Sequence, residues 1–178
     1  MTPARYSSLS ITLHWLMLAM LIGVYACIEL RVLFERGSDA REAIKAWHFM
    51  LGLSVFALVW IRLIARWVGG VPAITPAPPT WQRRLSGLVH FALYALMIGM
   101  PIGGWLILSA EGKPVPFFGL TLPPLVLPNE ALAEQVEEIH ETVGAAGYWL
   151  IGLHALAGLF HHYFQKDDTL RRMLPIVR

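Results

Sequence analysis

The chain has 178 residues, of which 56% are hydrophobic and only 15% charged, and its mean hydropathy is +0.56. A soluble domain carries about 25% charged residues, so the charge that coats a water-facing surface is missing. A disordered chain, a disulfide-stapled secreted module and an ordinary cytosolic enzyme are excluded. The single cysteine, Cys27, can form no internal disulfide, and the net charge of +2 means little until its placement along the chain is read.

In chain order, the first apolar stretch covers residues 10–30. At about 1.5 Å per residue it can cross roughly 30 Å of hydrocarbon. A cleavable signal peptide is the competing reading, and Val24-Tyr25-Ala26-Cys27 faintly resembles a lipoprotein cleavage box. Tyrosine fits that box badly, Arg5 is the whole basic start, and three more spans follow, so the stretch is read as a retained helix. The second span covers 46–67 and is followed by a short, stiff, Pro- and Gly-rich linker, 69–79. The third covers 85–110; inside it, Pro101 with Gly103-Gly104 reads as a kink rather than a site. Segment 111–138 carries Pro114, Pro116 and Pro123-Pro124, then an acidic run from Asn129 that reads as a surface helix. The fourth span covers 139–164. Backbone groups in lipid must be satisfied within the segment, so all four spans are helices. The expected architecture is an all-α integral membrane protein, one four-helix bundle over residues 1–178.

Charge placement orients it. Arg5, Arg62, Arg66, Arg83, Arg84, Lys166, Arg171, Arg172 and Arg178 fall on one side; Arg31, Arg36, Arg41, Lys45 and Lys113 fall on the other. Of the acidic residues, only Asp167 and Asp168 join the first group. The positive-inside rule then makes both termini and the 69–79 linker cytoplasmic, with 31–45 and 111–138 facing outward. The basic residues lack aromatic interleaving and any DNA- or RNA-binding motif, so nucleic acid is not expected as a partner. Trp15, Trp47, Trp67, Trp81, Trp105 and Trp149 mostly sit near span ends, as an aromatic belt does.

Seven histidines need an explanation, because ionisable groups within a bilayer are costly and mark function. They are His14, His48, His90, His140, His154, His161 and His162, and each span carries at least one. At about 100° per residue, His140 and His154 share one face of the fourth helix, roughly 21 Å apart along its axis. His161 continues that stripe, about 20° off His154. Gly144, Gly147 and Gly158 lie along it and lower the wall for something broad and flat, though small residues also let helices approach each other. Depth pairs the histidines: His14 with His154 in one leaflet, His48 with His140 in the other. Imidazoles facing each other across a bundle are how haem iron receives two axial ligands, so two b-type haems are expected. Zinc or di-iron would want three or four ligands at one depth, usually with carboxylates. Structural or proton-relay histidines are the other alternative. His90 and His161 lie near or just below the inner pair, where a quinone being reduced needs a proton donor.

The chain resembles the bacterial cytochrome b561 family along its whole length. The similarity is strongest in Gly147-Tyr148, Ile151-Gly152-Leu153-His154-Ala155 and His161-His162-Tyr163-Phe164, followed by Lys166-Asp167 and Thr169-Leu170. Tyr6, His14-Trp15 and the loop Phe118-Gly119-Leu120-Thr121-Leu122-Pro123 share it. The resemblance implies a dihaem protein whose axial ligands are His14, His48, His140 and His154. It implies a superoxide oxidase that takes electrons from superoxide at the periplasmic face and gives them to ubiquinone. Similar dihaem subunits instead serve a hydrogenase or dehydrogenase as an electron conduit. Lipid, ubiquinone and superoxide are then the partners, with a homo-oligomer left open. An anion such as superoxide approaching an acidic outer face needs a local basic funnel. Lys45, almost one helical turn before His48, is the first candidate for superoxide access, followed by Arg31, Arg41 and Lys113. A lysine snorkelling to headgroups is the plain alternative.

Overall fold

A computed structural model describes residues 5–175; Arg178, counted above among the basic side, lies outside them. Four helices run antiparallel: α1 (Ser8–Leu30), α2 (Asp39–Gly69), α3 (Thr80–Ala110) and α4 (Glu130–Phe160). All four are long and apolar enough to cross a membrane. Their starts follow from local chemistry. The side chains of Ser7, Ser38 and Asn129 accept the backbone N–H groups of Ser10, Arg41 and Leu132, satisfying donors the first helical turn leaves unpaired. Asp39 and Glu42 add negative charge where the dipole of α2 favours it. α2 ends at Gly70, whose φ of 71° a side chain would resist.

Three helices start well before their apolar stretches, α3 at Thr80 rather than residue 85. α2 begins seven residues before the expected span, and the acidic run after Asn129 is the first part of α4 rather than a separate surface helix. Nothing between Glu130 and Ile139 breaks a helix, and Ala, Leu, Glu and Gln favour one. The rest of segment 111–138 holds a small antiparallel hairpin, β1 (Val115–Phe117) and β2 (Leu120–Leu122). Phe118 and Gly119 both have positive φ, 47° and 84°, the geometry of a two-residue hairpin turn that twists with its strands. Val115 tucks the hairpin onto Leu53 and Leu108, and Trp105 Nε1 donates to the Pro123 carbonyl at 3.0 Å.

At mid-depth, Met17, Val55, Val59 and Met97 form a fully enclosed core. Around it the large apolar side chains face outward, Trp67, Leu153 and Leu156 among them. In water such a surface would drive aggregation; in lipid it is the solvated face. The end opposite the hairpin is closed by the segment after α4. Trp15 Nε1 donates to the Met173 carbonyl at 2.7 Å and Thr75 N–H to the Asp168 carboxylate at 2.9 Å. The Arg172 guanidinium donates to the Pro72 carbonyl. The Pro-rich linker is therefore tied down at both Pro72 and Thr75.

Candidate cofactor site

The bundle brings the histidines together in two groups at different depths. At the hairpin end, His48 of α2 faces His140 of α4 with ring centres 6.4 Å apart and planes at 72°. At the other end, His14 of α1 faces His154 of α4 at 6.2 Å and 77°. An iron held by two imidazole nitrogens at about 2 Å each, with each ring centre about 1 Å behind its nitrogen, sets the centres roughly 6 Å apart. Both pairs meet that separation. Among the described residues no group of three or more His, Cys, Asp or Glu could hold a metal ion, so a zinc or di-iron centre has no ligand set there.

The surroundings of the hairpin-end pair fit a broad planar group. The Nδ1–H of His48 donates to the Val24 carbonyl at 3.0 Å, which fixes the tautomer and leaves Nε2 as a lone-pair ligand. Nδ1 of His140 is buried with no hydrogen-bond partner, so no protein group accounts for that imidazole. A cavity of about 730 Å³ borders both rings, its wall lowered by Gly52, Gly104 and Gly144. A Cβ on Gly103 would stand 3.2 Å from Nδ1 of His140 and one on Gly104 3.6 Å from its Cε1. The Gly103-Gly104 pair therefore makes room for a candidate ligand ring, and the expectation that it marks only a kink is corrected. Gly147, by contrast, is filled by protein: a Cβ there would collide with the Tyr25 hydroxyl, which donates to the Gly144 carbonyl at 3.0 Å.

The same cavity reaches the charged hairpin-end surface. Arg31, Lys45 and Lys113 line it, while Arg41 instead donates to the Arg31 and Phe34 carbonyls and pins the α1–α2 turn. Each lining cation has its own carboxylate: Lys45 with Glu42 at 3.0 Å, Lys113 with Glu111 at 3.0 Å, and Arg31 with Glu141 at 3.9 Å. Glu29 and Glu137 line the cavity as well, so five carboxylates face three cations and the charge at this mouth is net negative.

The second group contains a histidine the pairing by depth did not place. His90 of α3 packs edge-on against His154, ring centres 5.3 Å apart, with its Nδ1–H donated to the Ser86 carbonyl at 2.6 Å. At 5.3 Å those two rings are too close to share an iron on the geometry above. Arg62, partly buried on α2, donates to the Ser10 carbonyl at 3.0 Å and lies within electrostatic range of His14, His90 and His154. Its signal was present in the sequence as an arginine inside a span.

His161 stands apart from that cluster. α4 gives way at Phe160 to a single π-turn, His161–Gln165, closed by Lys166 in the left-handed conformation. His161 itself keeps right-handed helical dihedrals and its N–H bond to the Ala157 carbonyl, so it still lies on the stripe that links His140 to His154, and the helix breaks only after it. Nδ1 of His161 meets a carboxylate oxygen of Asp167 at 2.5 Å, and its ring neighbour is Phe160.

The sequence pattern described as prokaryotic cytochrome b561 matches residues 5–175. Cytochrome b561 homolog 1 of Escherichia coli is 39% identical over 96% of this chain and 97% of its own length. A probable superoxide oxidase, CybB, of Yersinia pestis is 36% identical over 96% of each chain. Cytochrome b562 of Cereibacter sphaeroides is 30% identical over 95% of this chain and 94% of its own. With two facing imidazole pairs in a four-helix membrane bundle and this match over nearly its whole length, the chain belongs to the prokaryotic cytochrome b561 family, membrane proteins that bind b-type haem and carry electrons.

Proposed function

We propose that the chain is a superoxide oxidase of the bacterial inner membrane: two superoxide anions yield two dioxygen molecules and two electrons, and ubiquinone takes up the two electrons with two protons. The observation that carries this reading is the pair of imidazole couples, each at iron-bridging separation, with a water-reachable cavity at one of them. The relative named as a probable superoxide oxidase, 36% identical, supports it. His48 and His140 would hold one haem b, His14 and His154 the other. Bound haem supplies one-electron carriers at two depths. The chain's own residues do the rest. His48 is oriented by Val24, Gly103 and Gly104 admit the His140 ring, and the mid-depth core excludes water between the two sites. The hairpin end faces the periplasm and both termini the cytoplasm, where His90 and His161 supply protons to quinone.

A second reading has an observation of its own. Because Arg31, Lys45 and Lys113 are each paired with a carboxylate and Glu29 and Glu137 add two more, the cavity mouth has no net attraction for a small anion. A conduit that receives electrons from a docked dehydrogenase or hydrogenase needs no such attraction. The test is the reduced-minus-oxidised spectrum of the purified protein during superoxide pulses, with and without ubiquinone. Haem reduction by superoxide alone, reversed on adding quinone, is the expected result. A haem spectrum that responds only to a partner dehydrogenase selects the conduit.

A further inference from the structure

The segment after α4 holds a buried acid–base pair that a helix end does not require. In a continuous α-helix, residue 167 would sit roughly 9 Å along the axis from residue 161 and about 120° around it, out of reach. The π-turn and the left-handed Lys166, φ 55°, reverse the chain instead. The His161 carbonyl accepts the N–H groups of both Lys166 and Asp167. The Asp167 carboxylate thereby folds back against the His161 ring, with an oxygen 2.5 Å from Nδ1 and the other accepting Thr169 N–H at 2.9 Å. Asp167 is only 4% exposed. Burial pushes its carboxyl pKa up, but the hydrogen bonds from His161 and Thr169 outweigh that and hold it below the usual aspartate value, so the group is an anion. The neighbouring carboxylate, Asp168, does not compete for His161, since it is engaged by Thr75 and Arg172. No protein group among the described residues bonds Nε2 of His161. On one side the ring adjoins Phe160, which stacks on Phe164 with both faces open to lipid, the phase from which a quinone arrives.

We infer that Asp167 is a positioning residue for quinone protonation: it holds the Nδ1–H of His161, so that Nε2 carries protons from cytoplasmic water to the quinone oxygens. This rests on the quinone reading of His161 given above. In each cycle Nε2 takes a proton from water, the imidazolium is stabilised by the Asp167 carboxylate, and the proton passes to a quinone oxygen. Two cycles, with the two electrons from two superoxide anions, complete one quinol. Asp167 itself stays ionised throughout, as an orienting carboxylate does beside a catalytic imidazole.

The test uses the haem-loaded protein and needs no superoxide. Quinol-driven haem reduction is followed in Asp167→Asn, which keeps an acceptor oxygen but loses the charge. The expected rate is roughly 10- to 100-fold lower, with haem content, spectrum and thermal stability retained. The solvent deuterium isotope effect rises, and Asp167→Glu restores part of the rate. His161→Ala falls to a similar level, and the double variant no further, because the two act as one unit. In nitrogen-15 spectra the His161 ring shows Nδ1–H in the unaltered protein and loses that preference in Asp167→Asn. An unchanged rate, or a loss that tracks instability or haem content, overturns the inference. If the unaltered protein exchanges no electrons with quinol, the quinone reading itself is what fails.

Discussion

The two imidazole pairs are nearly identical in separation, 6.4 and 6.2 Å, and differ in almost everything around them. His48 and His140 border a cavity of about 730 Å³ whose wall includes three glycines and whose rim carries both signs of charge. His14 and His154 line none of that cavity. Their neighbours are a third imidazole, His90, a partly buried arginine and the segment that ties Trp15 to Met173. The contrast separates what the iron needs from what the reaction needs. Two facing rings suffice for ligation at either depth. The hairpin end adds space and access, whereas the other end adds proton-bearing groups.

Removing a ligand gives the largest effect. If each pair holds one iron as proposed, His140→Ala should lower the haem content by about half. The surviving haem should keep the spectrum of the His14–His154 site, as measured by pyridine haemochrome assay and low-temperature spectra. Loss of both haems from a folded protein would break the separation between the two ends. Next comes His90→Ala, which leaves haem content unchanged and slows electron exchange with quinone by about 10-fold. Stopped-flow reduction by quinol reads that directly, and a lost haem would show that His90, not His14, partners His154. A smaller change follows Gly103→Ala. Its Cβ meets Nδ1 of His140 at 3.2 Å, so the cost is about 1 kcal/mol of overpacking and a shift confined to the hairpin-end haem. Gly87→Ala, exposed on α3 with open space around it and off the ligand stripe, is the control.

The smallest effect belongs to Lys45→Gln. Its ammonium is already paired with Glu42 at 3.0 Å, so the superoxide rate should fall by no more than about 3-fold at low salt and less as salt rises. A loss of tenfold or more would make Lys45 a specific binding group rather than one paired charge of a net acidic rim.

Much of this was legible in the sequence. Four spans follow from apolar runs longer than 20 residues, and the two ring pairs follow from depth and the α-helical period. What could not be read depends on contacts between elements or on breaks in that period. His90 falls at the depth of His154, but its approach to 5.3 Å depends on how α3 packs on α4. Gly103 and Gly104 look like a kink beside Pro101 until the His140 ring is seen against them. His161 lies on the stripe, its N–H still bonded to the Ala157 carbonyl, but the π-turn that starts there and folds Asp167 against its ring has no mark in that period. The helical extensions at Asp39 and Glu130 were hidden because charge marks where lipid ends, not where a helix does.

α4 contributes a ring to both pairs, and α1 and α2 have their counterparts on no other helix. That asymmetry has a consequence for biogenesis. A chain emerging from the ribosome can insert three helices and still lack the α4 ring of each facing pair. If the pairs are the ligand sets proposed above, two-ligand capture of haem waits for α4 and then becomes possible at both depths at once. On that proposal, haem loading would report that insertion has reached the fourth helix.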